Sequence, residues 1–187
     1  MLLGGMADHV DRIVEQWARE RPELDIAANA VMARVLRTAR SVELAIADVF
    51  GRYGINRGEF DVLASLRRSG PPFALGPSRL SEGLLLSTAA MTNRIDRLQR
   101  LGLVRRGSDP ADRRVVLVEL TEPGLALIDD AFPALLDEEE RLLGALSPAD
   151  REALGDILRA LLSAWEAREP SVARSGAPDL GRADPTG

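Results

Sequence analysis

Arginine is the side chain with the most evident chemistry in this sequence, and its distribution is uneven. All 24 basic residues are arginine, and ten of them fall between residues 67 and 114 together with only four acidic residues. This segment carries a net charge of +6 within a chain whose formal net charge is −5. A guanidinium group binds phosphate oxygens through two parallel hydrogen bonds. A basic segment inside an acidic chain therefore predicts one face that contacts nucleic acid.

Other reactive side chains are scarce. The chain has no cysteine and one histidine, His9, which argues against disulfides, thiolate zinc sites and a Ser-His-Asp triad. We therefore expect no catalytic residue, no metal site and no cofactor. One enzyme hypothesis stays open, in which Asp61 and Arg94 act on a small substrate, although no nucleophile–base pair or cofactor loop accompanies them.

The length and hydropathy of the chain are those of a globular protein. Its 187 residues allow one domain with appendages. No apolar run approaches the roughly 18 residues of a membrane span, and the N-terminal residues lack the pattern of a signal peptide. We expect a cytoplasmic protein without a membrane partner.

The periodicity of apolar residues predicts helices and one hairpin. Helices are predicted at about residues 10–21, 28–53, 56–67, 77–83 and 87–101, and again from 121 and from 147. Strands are predicted at 103–106 and 115–118, joined by a turn at 107–110. Pro133 is expected to bend or break its helix. Residues 170–187 are poor in large apolar side chains and are expected to be a disordered tail.

This order of elements is typical of a winged helix-turn-helix, so the predicted fold is mainly α with a small β-hairpin. The predicted regions are N-terminal dimerisation helices at 7–53, a DNA-binding domain at 54–120, and C-terminal dimerisation helices at 121–168. The helix that begins at Ser87 carries Met91, Ile95 and Leu98 on one side and polar residues on the other. Side chains of this polar side and of the hairpin tip are the candidate contacts to double-stranded DNA. They are Ser87, Thr88, Thr92, Asn93, Arg97, Arg100, Arg113 and Arg114.

The segment Asp109-Pro110-Ala111-Asp112-Arg113-Arg114, followed by Val118, Leu120, Thr121 and Gly124, resembles the wing of the MarR family of bacterial transcription regulators. The stretch from Ser87 to Leu98 is similar to the recognition helix of that family. The resemblance covers about residues 7–168. It implies a homodimer whose terminal helices intertwine and whose two winged helices read a pseudo-palindromic operator.

A narrower resemblance connects the chain to the urate-responsive branch of the same family. Four residues match that branch: Trp17 in Gln16-Trp17-Ala18-Arg19, Asp61 in Glu59-Phe60-Asp61-Val62, Arg94 in Asn93-Arg94-Ile95, and Arg106 in Val104-Arg105-Arg106. The match implies a repressor that leaves its operator when urate or a related small anion binds at these residues. The residues themselves agree in part, because Asp61 lies in an apolar helix and Arg94 lies at the edge of the buried face.

Two other interpretations remain open. Asp61 and Arg94 can form a structural ion pair, with Trp17 packing at a dimer interface, so that no ligand binds there. The chain can also be a helical interaction protein whose winged helix is only structural, and salt-sensitive binding to DNA distinguishes this hypothesis from a regulator.

Overall fold

The computed structural model describes residues 7–109 and 112–167, which form seven helices and three short strands. The helices are α1 His9–Glu20, α2 Ala27–Arg52, α3 Arg57–Arg68, α4 Pro77–Gly83, α5 Thr88–Arg100, α6 Glu122–Leu142 and α7 Pro148–Glu166. The strands are β1 Ala74–Leu75, β2 Val104–Ser108 and β3 Val116–Leu120. The chain divides into two compact units after Leu142, so α7 belongs to a unit of its own.

The core of the first unit forms where α2, α3, α5 and α6 meet the sheet. Phe50 of α2 stacks on Phe60 of α3 with ring centroids 4.4 Å apart. Leu98 of α5 and Val118 of β3 are completely buried in the same cluster. The apolar side of α5 predicted from the sequence is confirmed, since Met91 and Ile95 are also buried.

Side-chain caps explain where several helices begin. The Asn56 side chain accepts the Glu59 amide of α3, and the Glu59 carboxylate accepts the Asn56 amide in return. Ser87 caps α5 by accepting the Ala90 amide, and Ser147 caps α7 by accepting the Asp150 amide. These starts agree with the predicted ones.

The end of α5 is tied to the start of α6. Gly102 adopts φ +72°, which glycine accepts without strain, and so ends α5. The Thr121 hydroxyl donates to the Gly102 carbonyl at 2.6 Å and accepts the Gly124 amide at 3.1 Å. A Cβ on Gly124 would lie 1.9 Å from the Leu103 carbonyl oxygen, so only glycine allows this contact.

The sheet differs from the prediction of a two-stranded hairpin. It has three strands in the order β1-β3-β2, all antiparallel, because Ala74 and Leu75 pair with Glu119 and Val118. The predicted turn at 107–110 is also wrong in part, since Gly107 and Ser108 belong to β2 and pair with β3.

Pro133 does not break α6, which continues from Glu122 to Leu142. Proline removes one backbone hydrogen bond from a helix. Burial of Ile128, Ala131 and Leu135 on the neighbouring turns holds α6 against the core and offsets this loss. The predicted tail at 170–187 lies outside the described residues.

Helix α7 of the second unit is amphipathic, as predicted. Six of its large apolar side chains are at least 36% exposed: Leu154, Ile157, Leu158, Leu161, Leu162 and Trp165. Within the ranges 7–109 and 112–167, no helix is long and apolar enough to cross a bilayer.

Candidate nucleic-acid interface and ligand site

Helix α5 presents a polar face away from the core. Thr88, Thr92, Asn93 and Arg100 are exposed on this helix. The Thr92 hydroxyl donates to the Thr88 carbonyl at 2.9 Å, which orients its methyl group and oxygen. The Ser87 hydroxyl oxygen accepts the Ala90 backbone N–H as the N-cap of α5, so this side chain stabilises the start of the helix. Asn93 offers an amide whose donor and acceptor match the edge of adenine.

Arg97 differs from the other candidates because it is bound to α3. Its guanidinium group forms an ion pair with the Glu59 carboxylate and donates to the Gly54 carbonyl at 3.4 Å. The Glu59 side chain is only 1% exposed, whereas that of Arg97 is 48% exposed. Arg97 therefore holds α5 against the start of α3, and half of its side chain still faces solvent.

Glu59 is a structurally important residue that the sequence reasoning missed. Its carboxylate serves the cap of α3 and the ion pair with α5 at once. The pattern Asn56-x-x-Glu59 is a capping-box signal that identifies the first role. No sequence signal identifies the second role, because the pairing with Arg97 depends on how α5 packs on α3.

The tip between β2 and β3 carries two exposed arginines, Arg113 and Arg114. Asp112 shapes this loop, since its carboxylate accepts the Arg114 amide at 3.0 Å and its carbonyl accepts the Val115 amide at 2.9 Å. Residues 110 and 111 of the predicted wing motif lie outside the described residues. The side chains of Arg113 and Arg114 have the exposure and charge that minor-groove contacts require.

Arg94 lies between α5 and α3, at the edge of the buried face as predicted. Its Nη1 donates to the Gly58 carbonyl of α3 at 3.4 Å. A Cβ on Gly58 would lie 2.4 Å from Cζ of Arg94, so the absence of a side chain at Gly58 makes room for the guanidinium group. This contact is long for a hydrogen bond and leaves Arg94 able to take a better acceptor.

Asp61 lies on α3 one turn after Gly58, and its side chain is half-buried. Burial raises the pKa of its carboxyl group, and the positive charges of Arg57, Arg94 and Arg68 oppose this rise. Among the described residues the Asp61 carboxylate forms no hydrogen bond and no ion pair. The direct ion pair between Asp61 and Arg94 is therefore not made, although the two residues are close enough to interact electrostatically.

The other two residues of the predicted ligand site have different neighbours. Arg106 donates to the Asp96 carboxylate at 2.5 Å and to the Gln99 amide oxygen at 2.6 Å. Asp96 lies two residues from Arg94 on α5, which places the two side chains on nearly opposite sides of the helix.

Trp17 lies at the junction of α1 and α2. It is 44% exposed and lines a cavity of about 210 Å³ with the loop after α1 and the first turn of α2. Within one described chain, the structure thus brings Asp61 and Arg94 together but joins neither Arg106 nor Trp17 to them.

Helix α1 is anchored to α2 by charges that the sequence reasoning did not identify. The Arg34 guanidinium group of α2 donates to Asp8 at 2.8 Å and to Asp11 at 2.6 Å. Asp8 is also the N-cap of α1, and its bond to the Asp11 amide lowers the pKa of its carboxyl group. These contacts fix the helix that carries Trp17.

Comparison with known proteins assigns this arrangement to a family. A profile of the MarR family matches residues 53–115, from the end of α2 into the wing. The transcriptional regulator PecS of Dickeya dadantii (strain 3937) is 36% identical over 149 residues, which are 80% of this chain and 90% of PecS. The chain belongs to the MarR family. It is a DNA-binding transcription regulator of that family and not an enzyme, as the sequence predicts.

Solved MarR-type structures confirm the winged helix-turn-helix fold. Sco3205 of Streptomyces coelicolor, a MarR family regulator solved in complex with DNA, matches with a TM-score of 0.68 and 23% identity. The match covers 79% of this chain and 91% of that protein. BpsR of Bordetella bronchiseptica, whose structure concerns regulation of DNA binding by 6-hydroxynicotinic acid, matches with a TM-score of 0.61 and 28% identity. That match covers 70% of this chain and 91% of BpsR.

Proposed function

We propose that this MarR-family protein is a homodimeric repressor that binds a pseudo-palindromic operator and leaves it when a small anion binds. In this proposal residues 7–53 and 121–168 form the dimer, and residues 54–120 bind the DNA. Because its target is genomic DNA, we place the protein in the cytoplasm. The observation that carries the proposal is the outward face of α5, where Thr88, Thr92 and Asn93 are exposed while the opposite face is buried.

The proposed contacts divide into two classes. Thr92 and Asn93, in the first half of the recognition helix, read base edges in the major groove. Arg100 binds phosphates, and Arg113 and Arg114 enter the adjacent minor groove, where they respond to its width and charge. Arg97 contributes its exposed half to the same positive surface while its ion pair with Glu59 sets the angle of the helix.

The proposed effector site centres on Asp61 and Arg94. BpsR, whose DNA binding is regulated by 6-hydroxynicotinic acid, supports a small anionic effector for this chain. The resemblance to the urate-responsive branch supports urate or a related anion. Arg94 supplies the positive charge that attracts the anion, and Asp61 is the half-buried carboxyl group beside it, whose pKa is raised by burial.

The proposed switch acts through the contact between α5 and α3. Arg94 now donates weakly to the Gly58 carbonyl, and an anion offers it a stronger acceptor. Because Arg94 belongs to the recognition helix, its movement shifts that helix relative to α3 and disturbs the spacing of the two helices in a dimer. Arg106 stabilises the same helix through Asp96, and Trp17 completes the site from α1 of the other subunit.

Fluorescence anisotropy of the intergenic DNA upstream of the gene tests this proposal. The protein is titrated onto the labelled duplex and then displaced with urate, 6-hydroxynicotinate and salicylate in turn. We expect one of these anions to release the wild-type protein, and we expect Arg94→Ala to bind the duplex but to stay bound. Arg79→Ala, which removes an exposed arginine of α4 from the same basic segment, is the matched control and keeps the response.

Two results contradict the proposal at different levels. An Arg94→Ala protein released at the wild-type anion concentration excludes this site and leaves a MarR regulator without a ligand at Asp61 and Arg94. Absence of salt-sensitive binding to any duplex favours the second candidate, an interaction protein with a structural winged helix.

A further inference from the structure

The turn between α4 and α5 contains an exposed leucine with an unusual backbone. Leu85 has φ +52°, a left-handed conformation that glycine adopts readily and that leucine avoids. Its side chain is 93% exposed. Backbone strain in one residue is commonly associated with function, so this combination requires an explanation.

The other non-glycine residue with positive φ shows how such a residue is normally stabilised. Phe73 has φ +59°, and the guanidinium group of Arg67 lies 5.0 Å from the centre of its ring. Its carbonyl also accepts the Leu120 amide at 3.2 Å. In the part of the chain that the structure describes, no side chain packs over Leu85 as Arg67 packs over Phe73.

The neighbouring residues hold the Leu85 side chain outward. Leu84 and Leu86 on either side pack against the core. The Leu85 amide donates to the Glu82 carbonyl at 3.3 Å, and the Leu86 amide donates to the Ser81 carbonyl at 2.9 Å. The turn is thus fixed by hydrogen bonds and packing, and Leu85 is presented to solvent two residues before Ser87, the N-cap of α5.

The position of Leu85 points to DNA as its partner. In a helix-turn-helix, the N-terminal residues of the recognition helix lie against the base edges of the major groove. The thymine C5-methyl group is the apolar feature that the groove presents there, whereas the phosphates are charged. A leucine at this turn therefore matches thymine and no other base.

We propose that Leu85 is a specificity-determining residue that contacts a thymine methyl group at the edge of each operator half-site. This inference rests on the proposed function, since it requires α5 to read the major groove. It adds an apolar contact, from the turn before α5, to the contacts that the helix itself makes.

The test combines a protein change with removal of the methyl group. Wild-type protein first selects its preferred duplex from a random-sequence library, and thymines of that duplex are then replaced one at a time by deoxyuridine. We expect one position in each half-site at which uracil weakens wild-type binding about fourfold, the effect of one buried methyl group. Leu85→Ala should weaken binding to the thymine duplex and should no longer distinguish thymine from uracil at that position.

Two further variants separate a DNA contact from a structural role. Leu85→Gly relieves the left-handed strain, so its Tm should equal or exceed that of the wild type while its DNA binding is as weak as that of Leu85→Ala. Leu101→Ala removes another exposed leucine, 46% exposed at the far end of α5, and should keep the full thymine preference.

The opposing outcomes are distinct. A selected duplex whose binding ignores uracil, or a Leu85→Ala protein that keeps the thymine preference, overturns the thymine contact and leaves the proposed function intact. A library that yields no preferred duplex contradicts the proposed function and the Leu85 contact together.

Discussion

Two arginines of α5 lie on the α3 side of the helix, three residues apart, and they have different tasks. Arg97 neutralises Glu59, a carboxylate that is almost fully buried and also caps α3. A buried carboxylate without a partner is costly, so this ion pair stabilises the attachment of α5. Arg94 makes only a long contact with a carbonyl and is available to a ligand.

Replacing Arg97 and Arg100 separates structural arginines from DNA-binding ones. Arg97→Ala should lower the free energy of unfolding by about 1–3 kcal/mol, because it leaves the Glu59 carboxylate buried without its cation. Arg100→Ala, an exposed neighbour on α5, should change it by less than about 0.5 kcal/mol. Urea denaturation measures both. Equal stability of the two variants would show that the Glu59 pair does not hold the helix.

Asp61→Asn should stabilise the folded protein most at neutral pH. Burial raises the pKa of Asp61, so the folded state keeps this proton to a higher pH than the unfolded chain does. The wild type therefore loses stability as the pH rises through the folded pKa, whereas the asparagine variant does not. The difference in Tm between the two proteins should shrink as the pH falls toward the unfolded pKa. A difference that grows in acid would contradict a raised pKa.

Some features of these side chains are predictable from the sequence, and others are not. The helical pattern places Arg94 at the edge of the buried face, where the structure also has it. The apolar surroundings of Asp61 predict a partly buried carboxylate, and the structure confirms its partial burial. The partners of Arg97 and Arg106 are not predictable in this way. Glu59, Asp96 and Gln99 become their neighbours only through the packing of α3, α5 and β2.

The contact between the segment after α5 and the first turn of α6 depends on Gly124. Gly124→Ala should lower the free energy of unfolding by more than about 2 kcal/mol, because its Cβ would collide with the rigid backbone of Leu103. Gly51→Ala, at a helical position with nothing within 4 Å, is the control and should be neutral or slightly stabilising. The Tm of both variants, measured by thermal unfolding, tests whether α6 approaches Leu103 this closely. A stable Gly124→Ala protein would mean that α6 approaches Leu103 less closely.

The recognition helix and the wing should respond differently to substitution. Asn93→Ala should relax sequence preference, since it removes an amide that pairs with a base edge. Arg113→Ala and Arg114→Ala should weaken binding to all sequences, because wing arginines contact the backbone and the shape of the groove. Anisotropy with operator and random duplexes measures both effects. Equal loss on both duplexes for every variant would contradict this division of roles.

Element prediction succeeded where caps and periodicity are strong. The starts of α3, α5 and α7 follow from Asn56, Ser87 and Ser147, which are good N-caps. Strand β1 was missed because two residues carry no alternation, and its pairing with β3 is a long-range contact. Pro133 predicts a bend or break in α6, but burial on the adjacent turns outweighs one missing hydrogen bond.

The exposed apolar surface of α7 predicts that two copies of the chain associate. A stripe of six large apolar side chains is more than a stable monomer usually leaves in water. We expect a homodimer at micromolar concentration by sedimentation velocity, and Leu158→Glu should yield monomers that unfold at lower temperature. A folded wild-type monomer at that concentration would contradict the dimer.

Competitive anisotropy on the upstream intergenic duplex is the most direct test of sequence-specific operator binding by α5. Labelled duplex is titrated with protein in the presence of excess random DNA, at two salt concentrations. We predict that the protein binds the labelled duplex at least a thousandfold more tightly than the random competitor. We also predict that raising the salt concentration weakens binding steeply. Equal affinity for the intergenic and random duplexes would contradict sequence-specific operator binding by this protein.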